Sequence, residues 1–118
     1  MLRIIVAGGR DFNNYELLKQ TVNQFISDNS EANPYIVCGR ARGADTLGEK
    51  FAREYSYKIR YYLADWSTYG KSAGFVRNVE MAENADALVA FWDGKSSGTK
   101  HMIETARKYG LKVFVQKY

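Results

Sequence analysis

The sequence has one cysteine, Cys38, so no disulfide can form within the chain. A reduced, cytoplasmic setting is the expectation. Cys38 closes a predicted buried strand, where a thiol packs as a small apolar group. There is also one histidine, and one His with one Cys is too little for a buried transition-metal site. The single proline, Pro34, lies in Ser30–Pro34, which reads as a turn. No apolar run approaches the roughly 18 residues of a membrane span. The run after Met1-Leu2-Arg3 is too short for a signal peptide, so no membrane association is expected. Charged runs are absent too. The 17 Lys and Arg and 13 Asp and Glu leave a net charge of +4 and are dispersed. That balance permits phosphate or nucleic-acid ligands without demanding either. Neither a Walker A sequence nor a GxGxxG fingerprint occurs.

At 118 residues, 46% hydrophobic and 25% charged, the chain reads as one domain, residues 1–118. Within it, a short apolar run passes three times into a glycine-rich loop and then a helix. The loops are Gly8-Gly9-Arg10, Gly39-Arg40-Ala41-Arg42-Gly43, and Asp93-Gly94-Lys95-Ser96-Ser97-Gly98-Thr99. In a parallel sheet all such loops leave the carboxyl edge of the strands, where ligands of open α/β sheets bind. Backbone N–H groups beside helix N-termini attract anions there. Several basic residues, Arg10, Arg40, Arg42, Lys71, Arg77, Lys95 and Lys100, lie in or beside loops rather than in a stripe. This favours a focused anionic pocket.

The pattern predicts strands at Leu2–Ala7, Tyr35–Cys38, Lys58–Leu63, Ala87–Trp92 and Lys112–Val115. Helices are expected over Tyr15–Asp28 (capped by Asn14), Ala44–Tyr55, Ala73–Asn84 and Gly98–Tyr109 (closed by Gly110). Ala64–Ser72 reads as a loop. The alternation implies an α/β fold: a Rossmann-like, doubly wound parallel five-stranded sheet of order 3-2-1-4-5. The switch point then falls between the first and fourth strands.

Each loop has a functional and a structural reading. Gly8 and Gly9 allow close ligand approach, and Arg10 can fork onto a phosphate; equally, they make a tight turn with a solvated Arg. Gly39, Arg42 and Gly43 precede a helix start, where an arginine is unfavourable unless an anion compensates. Asp45 suits the helix dipole, or holds a ribose hydroxyl, or orients Arg42. Trp66 and Tyr69 can stack on a base, or cover the sheet edge or a subunit interface. On the next helix Phe75, Val79 and Ala82 are expected inward, Asn78 close to them and Arg77 away. Asn78 must then bond loop backbone or ligand. Gly94, Ser96, Ser97, Gly98 and Thr99 make a phosphate cradle or a plain helix cap. His101 and Glu104 are expected on the polar side of the last helix.

Taken together, these strings resemble the SLOG superfamily, the Rossmann-like group that includes the LOG phosphoribohydrolases and the DprA/Smf proteins. The likeness is to its small YspA-type (YpsA-related) branch. Five ordered motifs carry it: Gly8–Phe12, Gly39–Asp45, Ala64–Gly70, Ala73–Met81 and Gly94–Thr99. The resemblance implies a pocket for a nucleotide or nucleotide-derived small molecule, and a homo-oligomer, dimer or higher. LOG enzymes carry a catalytic Glu three residues after their Gly-Thr; Met102 stands there in this chain. Glu104 lies about 200° round the helix from Met102 and does not substitute for it. Arg77 matches the region of the LOG catalytic Arg.

The function expected is binding of a nucleotide or NAD-derived small molecule, as a sensor or sequestering module, with no further cofactor required. The alternative is an N-glycosidase or phosphoribohydrolase using Arg77 with Asp45, Asp93 or Glu104 as the acid. Single-stranded DNA binding is the third reading.

Overall fold

A computed structural model describes residues 2–29 and 33–118. Ser30, Glu31 and Ala32 of the expected turn lie outside the described residues. The elements are β1 (Arg3–Gly8), α1 (Tyr15–Asp28), β2 (Tyr35–Cys38), α2 (Ala44–Glu54), β3 (Lys58–Tyr61), α3 (Trp66–Tyr69), α4 (Ala73–Glu83), β4 (Ala87–Trp92), α5 (Ser97–Lys108) and β5 (Lys112–Lys117). The five strands form one sheet in the order β3-β2-β1-β4-β5, every neighbouring pair parallel. This is the Rossmann-like order expected from the sequence. Its switch point lies between β1 and β4.

Alternate residues of the central strands face opposite sides, which produces two cores. Ile4 and Val6 of β1 pack with Leu18, Val22 and Phe51 under α1 and α2. Ile5 and Ala7 pack with Met81, Met102 and Ile103 under α4 and α5. β4 is buried along Ala87–Phe91, as a strand covered on both faces must be. Cys38 is fully buried, and desolvation pushes its thiol up to about 12, which makes it inert at neutral pH.

Within the segment 64–72, expected as a loop, residues 66–72 are helical. Asp65 caps α3 by accepting from the Thr68 amide at 3.1 Å, and the Ser67 hydroxyl donates to the same Oδ1 at 2.8 Å. A 3-10 turn, Gly70–Ser72, leads on into α4. The departure is local: a one-turn helix is too short for hydrophobic periodicity to reveal.

Glycines of one type differ sharply in their surroundings. At Gly43, φ is +77° and a Cβ would collide with the Gly9 carbonyl and lie 2.7 Å from the Arg10 carbonyl carbon. Gly110 also has positive φ, +78°, but open space around it. Gly98 has neither constraint. Urea titration of the three alanine variants should therefore rank them. Gly98→Ala should be near neutral, Gly110→Ala should cost about 1 kcal/mol, and Gly43→Ala should cost roughly 3 kcal/mol or more.

Candidate functional site

The carboxyl ends of β1, β2 and β4 bring the three glycine loops to one edge. They meet at the Gly9 peptide. Its N–H donates to the Phe91 carbonyl at 3.1 Å, and its carbonyl accepts from Phe12 N at 3.2 Å and Ala44 N at 3.3 Å. A Cβ on Gly8 would strike the Phe91 carbonyl and the Ala44 Cβ, and one on Gly9 would strike the Tyr118 hydroxyl. Gly8, Gly9 and Gly43 thus close the junction. Tyr118 completes it by donating to Asp11 Oδ1 at 2.6 Å while its ring packs edge-on against Phe12.

Above this junction lie three adjoining hollows of about 90, 520 and 410 Å³, and Arg10 and Arg77 line all three. The smallest is walled by Gly8, Asp45, Asn78, Gly98 and Thr99. The largest adds Gly9, Trp66, Asp93 and Ser97. The third adds Gly39 and Arg42. The structure therefore gathers most residues singled out in the sequence around one trough. Four lie apart from it. Gly43 is packed in the junction, Gly94 turns at φ +86° toward Lys117, and Glu104 is exposed on α5. Tyr69 is exposed and lines none of the three.

Arg77 faces the trough, not away from it. It sits one turn after buried Ala73 and shares that stripe of α4. Its Nη1 donates to the Gly39 carbonyl at 3.1 Å, yet its buried Nε has no partner. Desolvation lowers its pKa, Asp45 opposes that shift, and the Arg10 charge adds to it. Gly39 supplies the room, since a Cβ there would lie 2.9 Å from Asp45 Oδ2 and 3.0 Å from Arg77 Nε.

Asp45 is 4% exposed and accepts from the Ala41 amide at 3.2 Å. Burial pushes its carboxyl up to about 6, against the pull of that amide and of Arg77. No ion pair within 4 Å joins the two side chains. Asp93 is the opposite case. Its Oδ1 accepts from the amides of Lys95 and Ser96, both at 2.8 Å, and these bonds hold it below the usual carboxylate range. Of the acids considered, Asp45 is the one poised to exchange a proton near neutrality.

The loop before α5 divides its polar groups. Ser96 caps the helix by accepting from Thr99 N at 3.4 Å, and its hydroxyl also pairs with that of Thr99 at 3.2 Å. The hydroxyls are thus committed to the cap. The amides of Ser97 and Gly98 stand at the start of α5, outside the helix's own hydrogen-bond ladder.

Three side chains were misplaced or passed over in the sequence. Phe75 is not inward; it is 45% exposed and stacks on His101, centroids 4.3 Å apart. His101 accordingly faces α4 rather than bulk solvent, and burial lowers its pKa. Tyr118 was not considered at all. The signal for His101 was present, because Phe75 and Asn78 are three apart and a helix presents both to one neighbour.

The family model described as the YspA, cpYpsA-related SLOG family matches residues 2–69. A relative, the Gene 61 protein of Mycobacterium phage D29, is 34% identical over 122 residues, covering 96% of this chain and 94% of that protein. The chain belongs to the YspA, cpYpsA-related SLOG family. Of the site motifs in this SLOG chain, the family match reaches the first two glycine loops and α3, but not Arg77, Asn78 or the loop before α5. In the solved structure of DNA processing protein A (DprA) from Streptococcus pneumoniae, the same fold recurs with a TM-score of 0.77 at 16% identity. That match covers 98% of this chain, which spans about half of DprA, 50%. No helix among the described residues is long and apolar enough to cross a membrane. No cluster of three metal-ligating side chains occurs among them either.

The raised pKa of Asp45 makes folding pH-dependent. The folded state holds a proton more tightly than the unfolded chain, whose carboxyl titrates near 3.8. The stability from Asp45 is therefore fully present below about pH 4 and is lost as pH rises through about 6. Asp45→Asn should remove this slope. Relative to that variant, the wild type should lose about 3 kcal/mol of unfolding free energy between pH 4 and 7, read by urea denaturation.

Proposed function

We propose that this chain binds a nucleotide or nucleotide-derived small molecule in the trough at the carboxyl edge of the sheet, as a sensor or sequestering module. The observation that carries this reading is Arg77. A desolvated guanidinium with an unpartnered buried Nε, lining the same hollow as a second arginine, offers a donor and a charge that suit an anion. The amides of Ser97 and Gly98 open α5 on the wall of the same hollow and favour negative charge there. A phosphate between Arg10, Arg77 and this helix end satisfies all three. Trp66, 55% exposed beside the two larger hollows, offers a face to a base. Membership in the SLOG family and the shared fold agree with nucleotide-related binding.

A second reading is cleavage of an N-glycosidic bond. What favours it is Asp45, a buried carboxyl pushed up to about 6 beside the same cavity. Against it stands Met102, buried where a LOG enzyme has Glu. DNA binding, which the name of DNA processing protein A raises, has no dedicated feature beyond the arginines already assigned to a focused site.

The test is calorimetric titration with nucleoside monophosphates, followed by chromatography of the recovered ligand. The expected outcome is saturable binding, unchanged ligand, and a loss of affinity of about tenfold or more in Arg77→Gln. Release of free base would establish the hydrolase reading instead. Equal affinity in Arg77→Gln would remove the anion site from the account. Affinity for oligonucleotides alone, falling steeply with salt, would favour nucleic acid.

A further inference from the structure

Lining the small hollow of about 90 Å³ together with the arginines is a side chain on α4 whose donors are already used. Asn78, on α4, is 4% exposed and lines the hollow. Its Nδ2 donates to the Gly98 carbonyl at 3.4 Å and to His101 Nδ1 at 3.1 Å, so both amide hydrogens are engaged. The orientation is forced by the partners. A flipped amide would set its oxygen against the Gly98 carbonyl, two acceptors face to face. Because Nδ1 accepts, the imidazole proton sits on Nε2. Stacking on Phe75 holds the ring in place, and burial keeps it neutral. What remains of Asn78 is its carbonyl oxygen, which accepts no hydrogen bond from the described residues and is not sealed from solvent. Asp45, also lining the hollow, is a second acceptor.

We propose that His101 is a positioning residue that locks Asn78 as an acceptor, and that Asn78 and Asp45 make the small hollow a subsite for sugar hydroxyl groups carried by a phosphorylated ligand. This rests on the anion site proposed above and sharpens it. The ligand class becomes a sugar phosphate, alone or as part of a nucleotide, and excludes phosphates on plain alkyl chains. His101 does not touch the ligand. It acts by denying Asn78 the choice of which end of its amide faces the cavity.

The experiment compares ribose 5-phosphate with butyl phosphate by calorimetry on the purified protein. Both carry the phosphate; only the first carries hydroxyls. The wild type should bind ribose 5-phosphate about tenfold more tightly. In His101→Phe, which keeps the ring stack and removes the acceptor, that ratio should fall to about one while butyl phosphate affinity holds. His101→Gln, which retains an acceptor, should restore the preference. A purely structural role for His101 would weaken both ligands equally and leave the ratio alone. A wild-type ratio near one, or a ratio unchanged in His101→Phe, would overturn the inference and leave the anion site standing. Binding of neither phosphate would remove the anion site and the inference with it. A measurement that needs no variant is the nitrogen chemical shift of His101. Nε2 should carry the proton; a proton on Nδ1 would contradict the proposal.

Discussion

The structure depends on the close approach of three backbone segments around one peptide, that of Gly9. Its N–H reaches the end of β4 and its carbonyl reaches both the turn at Phe12 and the first residue of α2. None of these contacts survives a Cβ at Gly8 or Gly43 without movement. The junction determines where β1, β4 and α2 end relative to one another. It therefore places Arg10, Asp45 and the loop before α5 around a common space. The ring of Phe12 stacks on Phe91 at 4.7 Å, and Tyr118 closes over the loop from the other side.

Electrostatics gives the trough its character. Arg10 and Arg77 bring two positive charges to one hollow, and burial of Arg77 removes much of the water that would screen them. Asp45, which lines the same hollow, sets one carboxylate against these two positive charges at neutral pH. Two more carboxylates line the largest hollow: Asp93 accepts from the amides of Lys95 and Ser96, and Asp11 accepts from the Tyr118 hydroxyl. A dianionic phosphate would meet a charge deficit that the protein does not resolve internally.

The sheet order was legible because each central strand is a continuous apolar run and each crossover helix has a clear buried stripe. The glycine loops were legible because the passage from apolar run to glycine-rich loop to helix recurs three times. Less readable were contacts between elements distant in sequence. Arg77 was expected to point away, since periodicity assigns faces relative to the sheet alone. Near a helix start, however, a side chain reaches past the strand ends toward Gly39. Phe75 was expected inward because helical spacing puts it on one side with Val79 and Ala82; its place beside His101 at the rim satisfies it differently. Tyr118 carried no local pattern, because its partners Asp11 and Phe12 lie more than 100 residues earlier. The short helix α3 was hidden by its length, although Asp65-Trp66-Ser67-Thr68 has the composition of a capped turn.

The central claim is that an anion is held between Arg77, Arg10 and the start of α5. Nitrogen–proton correlation spectra, recorded during titration with adenosine and guanosine monophosphates to millimolar concentration, test it most directly. The account predicts saturating shifts of the Arg77 Nε–H and of the Ser97 and Gly98 amides, with Gly110 unmoved. Saturation elsewhere on the surface while Arg77, Ser97 and Gly98 stay in place would contradict it.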